Sequence, residues 1–485
     1  MNYITATRIF QYIQCPHWPY YDWHATDTER ALKRKVSDGE IKRWEDGVTL
    51  EEGYVKELSR GEDIVDISIY TNAEEAYRKT IQAMEDGVPW IYQGTLIVED
   101  LLGKPDLLYR IPGTSILGNY TYIPIDIKSS HSLQKYQKLQ LSFYAYLIEK
   151  NIGGEMTAAS IVNANKVHIG FDPRLVRTEM LDIVETLRDI RNGKKPACVL
   201  RKNCSNIGVW GAVCEADAKA KNDIALLYNV DVKRLAILRE LGIHTVYDAA
   251  RMNPKELEGI AKGLTLHGLE VIKLQAESIL HEKVIIREAV SLIPQGIEIH
   301  FDIETDPPND YDYLYGILIR DAKGDTYRAF VARGEGGEKK MWNEFLTWIG
   351  SLPLSYTVYH FSPYEKTRLS AMEARYGIDE RLDVFRARMV DIKESVRHTI
   401  TLPLYFYGLK NILKFLGFTW RSQVQSGGGS IDRYEEYIQT GDEKILDDII
   451  LYNEDDVRAT AFLRDWITKY AGFVTTYVKP YPWES

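Results

Sequence analysis

The stretch "IEIHFDIETDPPND", residues 297–310, limits what this chain can fold into more than any other. It sets two carboxylates two residues apart inside a β-branched, apolar run that prolines 307 and 308 then end. Neighbouring side chains in a strand face opposite ways. Asp302 and Glu304 therefore share one face, and Phe301, Ile303 and Thr305 take the other. Acids held side by side repel one another, and a divalent cation between them is the simplest remedy.

A second acidic motif, "IILYNEDDVRATAFL", stands near the C-terminus. As a helix it puts Tyr452 and Asp456 four apart on one face and turns Asp455 about 100° away. Between the two motifs, "YHFSPYEKTRL" leaves a strand for a helix and places Glu365 near the strand end. The candidate set is Asp302, Glu304, Glu365, Tyr452 and Asp456. Around it, "YLYGILIRD" and "TYRAFVARG" predict strands joined by the turn "AKGD", "EKKMWNEFLTWIGSL" an amphipathic helix, and "YTVYHFS" another strand. The rest reads as mostly helical, with "QSGGGS" at 425–430 as a flexible loop. Three strands, a helix, a strand and then helices is the order of a ribonuclease-H-like α/β fold.

The D-x-E and Y-x-x-x-D motifs resemble those of the DEDDy class of 3′→5′ exonucleases. More closely, "FDIETDP", "YHFSPYEKTRL", "YGLKNILKFLGFTW" and "YNEDDVRAT" look like the ribonuclease-H-like domain of the YprB type, over roughly residues 294–470. The resemblance implies two Mg²⁺ or Mn²⁺ ions about 4 Å apart, which activate a water and stabilise a leaving 3′ oxygen. Asp302 would bridge them, Glu304 and Asp456 would hold one each, and Tyr452 would orient the water. Glu365 stands where many relatives have Asp.

"GKPDLLYRIPG" and "YIPIDIKSS" repeat this logic in another form. Asp126 and Lys128 share a strand face, Ile125 and Ile127 take the other, and Asp106 lies across a hairpin-like connection. Two carboxylates and a lysine can hold a metal and position its water. Gln140 and Tyr144, four apart in "KLQLSFYAYLI", aim one helix face at the same place. G-x-x-D, D-x-K and Q-x-x-x-Y together resemble the PD-(D/E)xK nucleases of the RecB-like family, close to the CRISPR adaptation exonucleases, over about residues 1–215. That family uses a further helical acid or His upstream. Glu51 in "EDGVTLEEGYV" is the choice here, with Glu52 and Glu45 as alternatives.

Four cysteines are too few for a disulfide scaffold. "CPHWPYYDW" at the start and three later cysteines are similar to the iron–sulfur members of that family, which implies a [4Fe–4S] cluster on Cys15, Cys198, Cys204 and Cys214. The spacing departs from the usual C-x-x-C-x₅-C, because Ser205 and Gly208 stand where that pattern wants cysteines. Buried thiols are the other reading.

A length of 485 residues predicts two or three domains. The organisation expected is a restriction-endonuclease-like α/β core in 1–215, a helical, helix–hairpin–helix-like middle in 222–285, and a ribonuclease-H-like domain in 294–485. In the middle, the "LGI" turn of "RLAILRELGIHTVYDAARMNPKELEGI" would offer backbone N–H groups to a phosphate; a plain helical spacer is the alternative. No apolar run approaches a membrane span and no secretory signal opens the chain, which predicts a cytoplasmic protein without a membrane partner. Net charge is −10, yet residues 128–202 hold 13 Lys and Arg against 7 Asp and Glu, a local balance of +6 that suits a polyanion. The expectation is a metal-dependent nuclease with two sites, acting exonucleolytically on DNA, single-stranded DNA above RNA. No G-x-x-x-x-G-K-[ST] is present, so unwinding would need a helicase partner. A non-catalytic nucleic-acid-binding scaffold and a hydrolase of small phosphoesters are the rivals.

Overall fold

The computed structural model describes residues 3–36, 38–128, 133–163, 165–200, 204, 208–228, 230–307, 309–334, 336–422, 424 and 427–484. The chain divides into two compact units, Met1–Asp217 and Ala218–Ser485.

In the first unit a six-stranded sheet runs in the order Ile64–Asp66, Trp90–Tyr92, Leu107–Ser115, Gly118–Ile127, Ala159–Val162, His168–Phe171. Its centre is the long antiparallel hairpin of the third and fourth strands. From Ile127 the chain crosses through the helix Lys135–Ile152 and returns as Ala159–Val162, parallel to the strand it left. Parallel neighbours require such a crossover. Leu139, Phe143, Leu147 and Ile148 of this helix pack with Leu108, Tyr122 and Met84. Ile125 and Ile127 join Trp90, Leu107 and Val162 in a separate apolar cluster, as strand alternation demands. The helix sits close because residue 103 is glycine. A Cβ there would meet the Leu147 side chain at 2.6 Å and the Tyr144 ring at 2.9 Å.

The second unit begins with helices that include Val232–Glu240, Val246–Arg251 and Leu266–Leu280. Gly242 of the "LGI" turn has φ +78°, a left-handed conformation that suits glycine. Thr245 and Asp248 then form a capping box on the next helix. The strand Lys283–Ile286 joins Ile400–Thr401 and Thr475–Val478 in a small antiparallel sheet.

The main sheet of this unit has the order Gly324–Val331, Tyr311–Asp321, Ile297–Asp306, Tyr356–His360, Met389–Asp391. The first three strands are antiparallel, and the last two lie parallel to Ile297–Asp306. One face carries Ile299, Phe301 and Ile303 into an aromatic core with Trp342, Phe345 and Phe385. Phe301 and Phe345 stack at 5.6 Å. Each such buried side chain contributes about 2 kcal/mol, so this face fixes the strand's register. The other face is a polar stripe of Glu298, His300, Asp302 and Glu304, and the 28-residue helix Glu443–Tyr470 supplies Asn453, Asp456 and Arg464 to it.

The glycine run differs from the expected loop. Residues 427–429 form the first turn of the helix Gly427–Thr440, which buries Ser430, Tyr434 and Tyr437. Glycine costs about 1 kcal/mol per helical position, and burial of the two tyrosines outweighs that preference. Among the described residues no helix is long and apolar enough to cross a membrane.

Candidate active sites

The hydrophobic anchoring of Phe301 and Ile303 delivers Asp302 and Glu304 to the opposite sheet face. One turn of the long helix delivers Asp456 to the same point. Ligand oxygens of these three acids lie within 4.8 Å of one another. Glu304 and Asp456 are buried and Asp302 is partly exposed, which leaves the group one open side. Burial, and then Glu304 and Asp456, hold the Asp302 carboxyl well above the usual carboxylate range. Burial and Asp456 push Glu304 up to about 8. Asp456 is raised as well, chiefly by burial. Burial leads all three rises, and at Asp302 and Glu304 the neighbouring acids add to it.

Several neighbours hold the acids in place. Asn453 Nδ2 donates to Asp302 Oδ2 at 2.8 Å. The amide reaches it because residue 316, opposite Asp302 in the sheet, is glycine; a Cβ there would fall 1.4 Å from Asn453 Oδ1. Trp420 Nε1 donates to Asp456 Oδ1 at 2.7 Å. Lys410 Nζ donates to the Tyr452 hydroxyl at 3.1 Å and lies 4.5 Å above its ring. Burial lowers the Lys410 pKa even though the three acids pull it up. Burial, followed by Asp456 and Glu304, raises the Tyr452 phenol far above its normal range.

Glu365 is buried at the start of the helix Tyr364–Tyr376 and lies outside the compact group. It pairs with His360 Nδ1 at 3.2 Å and contributes to the field that raises Asp302. Asp455 is indeed turned away, but it is not idle. It accepts from the Arg421 and Ser422 backbone N–H groups at 2.6 and 2.8 Å and from Arg421 Nε at 2.6 Å. That clasp fixes the segment carrying Trp420. Lys410, Trp420 and Asn453 were not singled out from sequence, although "YGLKNILKFLGFTW" and "YNEDDVRAT" contain them.

In the first unit Asp106 and Asp126 meet across the central hairpin. Asp106 Oδ2 accepts from the Ile127 N–H at 2.7 Å, and Asp126 Oδ1 from the Asp106 N–H at 3.4 Å. Lys128 Nζ lies 3.5 Å from Asp106 Oδ2 and 3.3 Å from Asp126 Oδ2. Burial and Asp126 push the Asp106 carboxyl up to about 8, against the pull of Lys128. Lys128 is raised, because the two aspartates outweigh its burial. Gln140 Nε2 donates to the Tyr144 hydroxyl at 3.0 Å. Burial, then Asp126 and Asp106, raise the Tyr144 phenol. Glu51, on the helix Asp38–Leu58, acts electrostatically on both Asp106 and Tyr144. The Gln93 amide holds it. Gln93 has φ +52°, and its N–H bonds the Asp106 carbonyl at 2.9 Å. A strained non-glycine residue beside paired acids is a functional signal that spacing alone does not show.

Cys15, Cys198, Cys204 and Cys214 are buried and free of disulfides. Cys15 and Cys214 come together with a residue not singled out from sequence, His17, their donor atoms all within 4.8 Å. Cys204 Sγ lies 3.8 Å from the Val199 carbonyl oxygen, and the Cys204 side chain acts on the Cys15 thiol.

Residues 299–468 match the model of the RNase_H superfamily. No curated protein matches the chain. The match begins at the strand that carries Asp302 and Glu304 and ends on the helix that carries Asp456, so it supports a ribonuclease-H-like domain in the C-terminal part of the chain.

Proposed function

We propose that the chain is a metal-dependent nuclease that hydrolyses phosphodiester bonds of DNA, with a 3′→5′ exonuclease site in the ribonuclease-H-like domain. The observation that carries this reading is the convergence of Asp302, Glu304 and Asp456 within 4.8 Å inside that domain. Hard carboxylate oxygens, held close together, fit Mg²⁺ or Mn²⁺. A bound divalent ion there would supply activation of a water and stabilisation of the leaving oxygen.

The residues of the chain do the rest. Asp302, Glu304 and Asp456 would hold the ion, and Asn453 and Trp420 each donate to one carboxylate oxygen, of Asp302 and Asp456, and fix those side chains. Tyr452, fixed by Lys410, orients the attacking water. Lys410 also places positive charge where a phosphate must come. The same reading assigns Asp106, Asp126, Lys128, Glu51, Gln140 and Tyr144 to a second, RecB-like site with its own ion.

Full-length protein incubated with Mn²⁺ and single-stranded DNA labelled at either end tests the proposal. Shortening from the 3′ end that stops on chelation is the expected result. Binding without cleavage would favour a scaffold, and cleavage of mononucleotide phosphoesters alone would favour a small-molecule hydrolase.

A further inference from the structure

A Cys/His cluster joins the two ends of the first compact unit and includes none of that unit's paired acids. Cys15 terminates the helix Ala6–Gln14, and His17 opens the helix His17–His24 two residues later. Cys214 lies in the helix Gly211–Lys221, close to the end of that unit. Cys214 Sγ and His17 Nδ1 are 3.5 Å apart, and Cys15 Sγ completes a trio within 4.8 Å. All three side chains are at least 95% buried.

The tautomer of His17 can be read from its partner. Its Nε2 is 2.9 Å from the Pro196 carbonyl oxygen, which can only accept, so Nε2 carries the proton and Nδ1 turns a lone pair toward the sulfurs. A metal-bound imidazole is held in this way, by its second nitrogen on a backbone carbonyl. Tyr21, Val209, Trp210 and Val213 pack with Cys214 in an apolar jacket. Trp210 Nε1 on Asp22 Oδ1 at 3.0 Å ties the two ends further.

Size and donor type distinguish one ion from a cluster. A single tetrahedral ion with metal–sulfur bonds of about 2.3 Å sets its donors roughly 3–4 Å apart. A [4Fe–4S] cube carries each donor, in most proteins a thiolate, on its own iron, so the donors stand further apart than around one ion. The tight grouping therefore does not fit the cube. We infer that Cys15, His17 and Cys214 hold a mononuclear, tetrahedral Zn²⁺ site, completed by the Cys204 thiol that acts on Cys15 from outside the trio, and that this Cys₃His site pins the N-terminal helices to the end of the first unit.

The test is metal analysis of full-length protein purified anaerobically without metal-affinity resin. Wild type should carry about one zinc per chain, and cobalt exchanged into it should show the intense visible bands of a tetrahedral thiolate site. His17→Ala should hold less than about a tenth of that zinc under competition by a chelator. His17→Cys should retain it, and so should Cys198→Ser. If His17→Ala fails to fold, the His17→Cys and Cys198→Ser proteins still decide the matter. Four iron and four sulfide per chain would overturn the inference. So would zinc loading unchanged in His17→Ala, or protein that binds neither zinc nor cobalt. Nuclease activity does not enter this readout, so it stands or falls separately from the proposed function.

Discussion

At Asp106 and Asp126 the counter-charge is part of the chain, since Lys128 Nζ lies within 3.5 Å of both carboxylates. At Asp302, Glu304 and Asp456 it stands further off, as Lys410 beside Tyr452. Among the described residues no Lys or Arg makes an ion pair with these three acids, and Lys410 hydrogen-bonds the Tyr452 hydroxyl. The first group is thus partly compensated by a lysine in direct contact, whereas the second has more acids and a lysine that acts on them without an ion pair. The two groups of acids therefore differ in how closely the chain supplies their counter-charge.

The largest expected effect comes from the second group. With the first site disabled by Asp126→Asn, Asp302→Asn should lower 3′-end cleavage by about 10³-fold or more, while circular dichroism stays that of the parent. Cleavage that survives at more than a tenth would remove Asp302 from the chemistry. In the reverse background, Lys128→Ala should cost about 10²-fold or more in the other site's rate. It should also unbalance Asp106 and Asp126, so that this site now gains more melting temperature from Mn²⁺ than its parent does. An unchanged Mn²⁺ response would mean that the lysine does not set the contrast between the sites.

Asp455→Asn should act more gently and by another route. It weakens charged hydrogen bonds to Arg421 and Ser422, a loss of about 2 kcal/mol. Chemical denaturation would read that loss, together with a partial fall in cleavage as Trp420 loosens. Full stability would show that the clasp carries no weight.

A further effect is on pH dependence. Glu304 is raised from 4.5 to about 8, so the folded state binds a proton that the unfolded state releases. In chelator, its contribution to stability is complete below about pH 4.5 and is lost as pH rises through about 8. Mn²⁺ competes with that proton, so the melting-temperature gain it gives should grow over the same window. A gain that is flat with pH would contradict the crowding of these acids.

Much of the second unit was legible because its strands are apolar runs with clear stops, and Ile297–Asp306 adds alternation to them. The core residues Phe301 and Ile303 are what place Asp302 and Glu304, and period-two patterning shows both at once. Helical spacing likewise separated Asp456 from Asp455. It could not reveal that Asp455 anchors a backbone segment, because that segment lies more than 30 residues away in sequence. Lys410, Trp420 and Asn453 escaped for the same reason: their partners are set by tertiary packing, and Gly316 marks one such approach only once the sheet pairing is known. His17 was hidden among aromatic neighbours in "CPHWPYYDW", where a histidine beside a cysteine carries no periodic signal. The helix over the glycine run was missed because burial of Tyr434 and Tyr437 overrode local propensity.

The central claim is that one chain holds two separate metal-dependent nuclease sites. It is tested most directly by a four-way comparison of wild type, Asp126→Asn, Asp302→Asn and the double variant on doubly end-labelled single-stranded DNA with Mn²⁺. Each single variant should keep cleavage with its own product pattern, and the double variant should show none. Cleavage by the double variant at the wild-type rate, or complete loss in either single variant, would contradict the account.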